Sequence, residues 1–296
     1  MIFVQIPSYR DSELPITLDQ LISKASHPNR LRIAVAWQHG PKEKLPLKYS
    51  QKANVEILDI PHELSRGCNW ARSLLQHRWE GEKHTLLIDS HHRFVSNWDD
   101  KLLEMHERLK KEGIRKPILT AYLPPYNSEN GAERRVRSCF KIYFKARTYG
   151  VLTHLTSYEI TGWRSLKKPV IADFLSLHFL FADGKFNREV LFDPDTYYTG
   201  DEASISLRAF THGYDFFHPH CIMGWHEYNR KNRTPHWDDH PEWFRQDIDS
   251  LLKLESMYSG RMKGRMGIGA QRSLKEYERF IGMLLLRRES RSNTIV

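Results

Sequence analysis

Three arrangements in this sequence carry side chains at spacings that could do chemistry. They are a carboxylate two positions from an imidazole at Asp89-Ser90-His91, adjacent acids at Asp201-Glu202, and a basic, histidine-bearing run from Asn229 to His240. The first follows the apolar run Thr85-Leu86-Leu87-Ile88, which reads as a buried parallel strand. Alternation along an extended chain puts i and i+2 on one side, so Asp89 and His91 face the same space. In open α/β sheets ligands bind beyond the carboxyl ends of the strands, which makes that space a cleft. A hard oxygen beside an imidazole suits a borderline divalent ion such as Mn²⁺, with diphosphate oxygens and water completing the shell. The bland alternative is a loop carboxylate paired with a nearby histidine, because Asp-x-His is a common accident of sequence.

The other two arrangements also have two readings. Asp201 and Glu202 precede a helical stretch from Ala203 to about His212 that Gly213 ends. They either complement the positive end of that helix or, in a cleft, hold sugar hydroxyls. Arg230, Lys231 and Arg233 stand close to His236. Such loops are usually just solvated, but beside a metal-bound diphosphate these charges would close over the phosphates and offset them.

The elements that must position these groups alternate in type. A strand at Ile2 to Ile6 breaks at Pro7-Ser8-Tyr9-Arg10-Asp11, and Leu14 to Ala25 has helical spacing. Strands follow at Arg32 to Trp37 and Val55 to Ile60, then a helix from Arg66 to Trp79 with Ser65 as N-cap and Trp70, Leu74 and Leu75 on its apolar face. After the central strand come a helix from Asn97 to Lys111 and a strand from Pro117 to Leu123. This alternation predicts an α/β fold with a doubly wound, mainly parallel sheet and helices on both faces. Residues 124–145 read as a polar, turn-rich loop, either a mobile acceptor-side segment or an ordinary connection. Val151 to Ile160, Leu177 to Ala182 and Tyr214 to Phe217 read as strands, and Glu242 to Ser259 and Leu274 to Glu289 as helices.

At 296 residues, with 40% hydrophobic and 27% charged residues, the chain has the composition of a globular protein with a substantial core. The net charge of +9 favours an anionic partner: nucleic acid, a membrane surface or a phosphorylated small substrate. Cys68, Cys139 and Cys221 lack metal-binding or disulfide-framework spacing and read as reduced thiols. There is neither a signal peptide nor a run of about 20 apolar residues, so a cytoplasmic location is expected.

With these pieces in order, the sequence resembles the retaining nucleotide-sugar glycosyltransferases of the GT-A fold. It is most similar to the cytoplasmic N-acetylglucosaminyltransferases that modify hydroxyproline on the adaptor subunit of SCF ubiquitin ligases, and more distantly to the polypeptide N-acetylgalactosaminyltransferases. The series of motifs spans roughly residues 1–240: Asp89-Ser90-His91 with Trp98 after it, Arg66-Gly67 to Arg72, Gly200-Asp201-Glu202, and Gly224-Trp225-His226 followed by Arg230. The resemblance implies that Asp89, His91 and His226 bind Mn²⁺ (or Mg²⁺), with His218 and His220 as alternative ligands or packing residues. It implies that Asp201 and Glu202 are catalytic in the sense of orienting the sugar. The donor, UDP-GlcNAc, would be held by Pro7, Ser8, Tyr9 and Arg10 at the uridine, by Arg66, Arg72 and Ser90 near the nucleotide, and by Arg230, Arg233 and His236 over the diphosphate. Trp37 takes the place of an acidic uracil contact in the distant relatives.

The expected organisation is a catalytic domain over 1–240 and a C-terminal helical extension over 241–296, packed on it or following it. The expected activity is metal-dependent, retaining transfer of GlcNAc to a hydroxyl of a protein or glycan, with hydroxyproline, Ser or Thr as candidate acceptors. A same-fold enzyme that uses another UDP-sugar to build a surface glycan is the rival reading. A nucleic-acid partner is not expected, because no RNA-binding or helix-turn-helix signature accompanies the charge. The segment Arg272 to Arg291 allows weak peripheral contact with a membrane surface, as opposed to a helix packed on the core.

Overall fold

The computed structural model describes residues 1–129, 132–229 and 233–287. Along the chain run β1 (Ile2–Tyr9), α1 (Leu14–Ser23), β2 (Leu31–His39), the one-turn α2 (Leu47–Ser50), β3 (Val55–Pro61) and α3 (Cys68–Gln76). Next come β4 (His84–Ile88), β5 (His92–Phe94), α4 (Trp98–Lys111), β6 (Pro117–Thr120), β7 (Tyr126–Glu129), β8 (Ala132–Arg135), β9 (Phe140–Thr148) and β10 (Val151–Glu159). The remainder is β11 (Val170–Ile171), β12 (Phe179–Asp183), the short α5 (Phe186–Glu189), α6 (Asp201–Thr211), β13 (Asp215–His218), β14 (Gly224–His226), the short α7 (His236–Asp239), α8 (Trp243–Tyr258) and α9 (Leu274–Ile281).

Eight strands form one sheet in the order β11-β13-β6-β12-β4-β1-β2-β3. β1 pairs in parallel with both β4 and β2, and β2 with β3, so the carboxyl ends of these strands emerge together. β12 runs antiparallel between β4 and β6, so the centre of the sheet is mixed where the apolar run of β4 suggested parallel neighbours on both sides. An apolar run without alternation reports burial on two faces, not the direction of a neighbour. Every residue of β4 is buried.

Alternate residues of β4 feed different cores. Leu86 and Ile88 join Leu14, Leu18 and Leu21 of α1 and Trp98, Leu102 and Met105 of α4. Leu87 joins a second cluster with Ile205 and Leu207 of α6, Leu254 and Met257 of α8, and Tyr277 and Ile281 of α9. The residues beyond 240 thus complete a core that the sheet begins. α9 turns its apolar side to that core rather than to solvent, and no described helix is long and apolar enough to cross a membrane.

Several boundaries differ from the sequence reading for identifiable reasons. β1 continues to Tyr9 through Pro7: β4 pairs only with Ile2 to Gln5, so Pro7 has a strand on one side alone and its missing N–H costs little. α3 starts at Cys68 rather than Arg66 because Gly67 takes φ 103°, so the Ser65 hydroxyl, which donates to Gln38 Oε1 at 2.5 Å, accepts from the Gly67 N–H at 3.3 Å and not from an N–H of the helix. The polar stretch after Pro124 contains the β7–β8 hairpin, whose sequence lacks apolar alternation. α9 ends at Gly282 (φ 69°) instead of reaching Glu289, which itself lies outside the described residues.

Candidate active site

Beyond the ends of β1 and β4 lie the two loops that carry Asp11 and Asp89. The short pair β5 and β14 runs antiparallel with His226 opposite His92, which brings a residue from late in the chain beside the end of β4. His226 Nε2 lies 3.4 Å from Asp89 Oδ2, and His91 Nε2 lies 3.7 Å from the same oxygen. One potential ligand atom from each of Asp89, His91 and His226 falls within 4.8 Å of the others. The close approach needs glycine at 224, where a Cβ would stand 2.3 Å from the Arg93 carbonyl oxygen.

This donor set fits a divalent ion, and the groups behind it fit one as well. Asp11 is buried and accepts hydrogen bonds from Ser90 Oγ at 2.6 Å and from His91 Nδ1 at 2.7 Å. Burial alone would raise its pKa, but the contacts with His91, Arg233 and Ser90 hold the carboxyl below its usual range. With Nδ1–H committed to a carboxylate, the Nε2 lone pair of His91 is the one available to a ligand-seeking ion, the usual second layer of a histidine metal site. Burial also works against ionised Asp89, yet His91 and Arg72 outweigh it and keep the carboxylate ionised. His178 stacks on His226 at 4.2 Å and accepts from the Leu123 N–H at 3.2 Å; burial first, then His226, keeps it neutral.

The acids at the start of α6 lie behind Asp89. Arg72 is buried, with Nη1 2.8 Å from Asp201 Oδ2 and Nη2 3.9 Å from Asp89 Oδ1, so one guanidinium spans two carboxylates. Asp201 Oδ1 accepts from the Glu202 N–H at 2.7 Å. Glu202 accepts from the Leu177 N–H at 2.9 Å and contacts the Tyr122 hydroxyl. Burial, then the neighbouring Asp201, pushes the Glu202 carboxyl up to about 7.

The cleft itself is lined by Pro7, Tyr9, Gln38, Arg72, Asp89, Ser90, His91, Tyr197, Arg233, His236 and Trp237, among others. Arg233 Nη1 lies 2.7 Å from His91 Nε2, on the nitrogen a metal would use. His236 Nδ1 is 2.8 Å from the Tyr197 hydroxyl, and the ring stacks on His240 at 4.0 Å. Burial and then His240 push the His236 pKa down to about 4, so it offers a hydrogen bond rather than a charge.

Other residues expected at the cleft are elsewhere. Ser8 is buried beneath the wall, and Arg10 turns away to Glu43 at 3.0 Å and Asp239 at 2.8 Å. Arg66 is exposed and paired with Asp195 at 2.5 Å, because the Gly67 turn points it outward before the helix begins. Trp37 stacks on His39, and alternation presents Gln38 to the cleft instead. His218 spends both ring nitrogens on backbone, at Thr120 O (2.8 Å) and the Ile142 N–H (3.2 Å), and His220 does not join the cluster. Arg230 lies outside the described residues. Gln38, Tyr122 and His178 were not singled out by sequence, and Asp11 was named only as the end of the Pro7 to Asp11 loop. Only Asp11, at the end of the first loop, carried a signal, a carboxylate just beyond a strand end.

The architecture has known counterparts. A crystal structure of GalNAc-T7 with UDP, GalNAc and Mn²⁺ matches with a TM-score of 0.62 at 14% identity, over 96% of this chain and 55% of that one. The chain therefore spans about half the length of that protein. Residues 1–349 of S. aureus TarS match with a TM-score of 0.55 at 13% identity, over 99% of this chain and 73% of that one. The TarS complex with UDP-GlcNAc gives 0.52 at 13% identity, over 95% and 70%. At these identities the likeness is one of fold, and the fold is GT-A. Comparison of the sequence with curated proteins finds no match. The sequence pattern of the family Glycosyltransferase (GlcNAc) matches residues 1–52 and 43–258, most of the chain, and the chain belongs to that family.

Proposed function

We propose that this protein transfers GlcNAc from UDP-GlcNAc to a hydroxyl of a protein or glycan, with a divalent ion, Mn²⁺ or Mg²⁺, at Asp89, His91 and His226. The observation that carries this reading is the convergence of those three side chains beside a cleft that Asp89 and His91 line at the carboxyl ends of parallel strands. The family match, the GT-A fold and the crystal structures of GalNAc-T7 with Mn²⁺ and TarS with UDP-GlcNAc support it. The chemistry such an ion supplies when bound is charge neutralisation of the leaving diphosphate.

The chain's own residues do the rest. Pro7, Tyr9, Gln38, Tyr197 and Trp237 line the cleft and are the residues that would contact the uridine. Arg233 is positioned to exchange His91 for a phosphate oxygen, a stronger, charge-assisted partner. Arg72, fixed by Asp201, holds Asp89 ionised and oriented; Asp201 and Glu202 set the sugar end of the site. In the transfer, the C1–O bond to UDP breaks as the acceptor oxygen bonds to C1 on the same face, and the acceptor proton passes to the departing diphosphate. Retention of configuration rests on the family resemblance, as does the cytoplasm as the place of action. UDP release from a panel of UDP-sugars, with Mn²⁺ and with chelator, tests the donor and the metal together. Selectivity for UDP-GlcNAc supports the reading, and equal turnover of UDP-glucose and UDP-GalNAc contradicts it. NMR of the product anomer reads the stereochemistry.

A further inference from the structure

The opposite end of β4 carries a second group of donors that the transferase reading does not use. His84 opens β4 where Asp89 follows its end, so the two sites lie roughly 16 Å apart along the strand. His106 and Glu107 come from α4, and Asp183 is the cross-strand partner of His84 on β12. His84 Nε2 lies 4.0 Å from Glu107 Oε1, and His106 Nε2 lies 4.0 Å from Asp183 Oδ1. Potential ligand atoms of His84, His106 and Glu107 all fall within 4.8 Å of one another.

The two imidazoles are nearly enclosed, at 3% and 0% exposure, yet among the described residues His84 Nε2 has no hydrogen-bond partner, and His106 has at most the Pro117 backbone for its two ring nitrogens. Leaving such atoms unmade costs about 1–3 kcal/mol each, and the usual reasons for one are an ordered water or an ion. Ring contacts with Phe181 account for the packing of both rings but satisfy no nitrogen. Among the described residues the carboxylates are held by partly exposed lysines, Lys83 at 2.9 Å from Glu107 and Lys110 at 2.7 Å from Asp183, both of which can swing into water.

We propose that His84, His106, Glu107 and Asp183 form a structural Zn²⁺ site that ties α4 to the amino end of β4 and to β12. Two imidazoles and two carboxylates match the preference of Zn²⁺ for a closed tetrahedral shell, whose bonds of about 2.0–2.2 Å require donors about 3.4 Å apart. Closing the shell takes rotation of Glu107, whose side chain is 41% exposed, away from Lys83, and of Asp183, which stands outside the compact trio, away from Lys110. The donors come from two hydrogen-bonded strands and a helix, so an ion there would add a link between α4 and the sheet beyond their packing and the Lys110–Asp183 and Lys83–Glu107 pairs.

The test uses the full chain carrying Asp89→Asn and His226→Ala, stripped with chelator, so that the cleft contributes no site. One equivalent of Zn²⁺ is expected to bind by calorimetry and to raise the melting temperature, and Co²⁺ is expected to give the visible absorption of a tetrahedral site. Adding His106→Leu should abolish both signals. Should that variant fail to fold, Glu107→Gln, at a half-exposed position, should still weaken binding by about tenfold or more. No bound equivalent, or binding undiminished by Glu107→Gln, overturns the proposal.

Discussion

Asp11 fixes the tautomer of His91 through Nδ1 and receives Ser90 and Arg233 as well. Asp11→Asn removes the carboxylate that selects Nε2 for the metal, and the Mn²⁺ concentration for half-maximal UDP release is expected to rise about 10–100-fold. Little change at saturating metal is expected, which separates a positioning role from a lost ligand. Glu202 gives a prediction in pH. Burial raises its carboxyl from 4.5 to about 7, so ionising it is less favourable in the fold than in the unfolded chain. The stability it contributes is present below about pH 4.5 and lost as pH rises to about 7. Glu202→Gln, which keeps the neutral shape, should therefore gain melting temperature relative to the parent protein between about pH 5 and about pH 8. A difference that stays constant with pH contradicts the burial of a titrating acid there. At this scale Asp89 and His91 were legible because strand alternation sufficed, and His226 because a family pattern named it. Gln38 was hidden by a one-residue uncertainty in which face Trp37 takes, and His178 by its place at the start of a strand whose neighbour no local pattern could reveal.

The elements matter through how they deliver these residues. β5 and β14 each span three residues, too short to be secure from periodicity alone, and only their pairing sets His226 against His91. Gly224→Ala would force a Cβ to 2.3 Å from the Arg93 carbonyl and push the strands apart. The expected result is weaker Mn²⁺ binding and lower turnover out of proportion to any fall in melting temperature, since the two strands form their own small sheet. Unchanged metal dependence would show that the pairing does not position the site. Regular helices such as α1 and α4 were readable from their apolar spacing, whereas the start of α3 depended on the backbone of one glycine. Ser65 looked like a cap in sequence, but the Gly67 turn moves the helix start past it, and its hydroxyl accepts from the Gly67 N–H while donating to Gln38. That shift also explains why Arg66 points outward while Arg72, about one turn into α3, reaches both Asp89 and Asp201.

For the whole molecule, the sheet sets a single cleft side, and the C-terminal helices complete the core beneath it. Tyr277 of α9 is fully buried, with its hydroxyl donating to the Asp173 carbonyl at 2.9 Å. Tyr277→Ala is expected to destabilise the protein by about 3–5 kcal/mol in denaturant unfolding, without altering its sedimentation with liposomes. A cost under about 1 kcal/mol would place α9 outside the cooperative core. The alternation of strands and helices made the α/β class readable from sequence; the antiparallel insertion of β12 was not, because pairing direction is a property of the assembled sheet. The net charge of +9 suits a donor with two phosphates, and the cleft gives that charge a place to act in Arg72 and Arg233. The proposed transfer depends on an ion that Asp89, His91 and His226 together would hold. Its most direct test is Mn²⁺-dependent UDP release from UDP-GlcNAc by the parent protein and by Asp89→Asn, with circular dichroism and melting temperature as controls for folding. Loss of nearly all turnover in a variant that remains folded is the expected result; turnover at the parent rate, with the same dependence on Mn²⁺, would contradict the assignment.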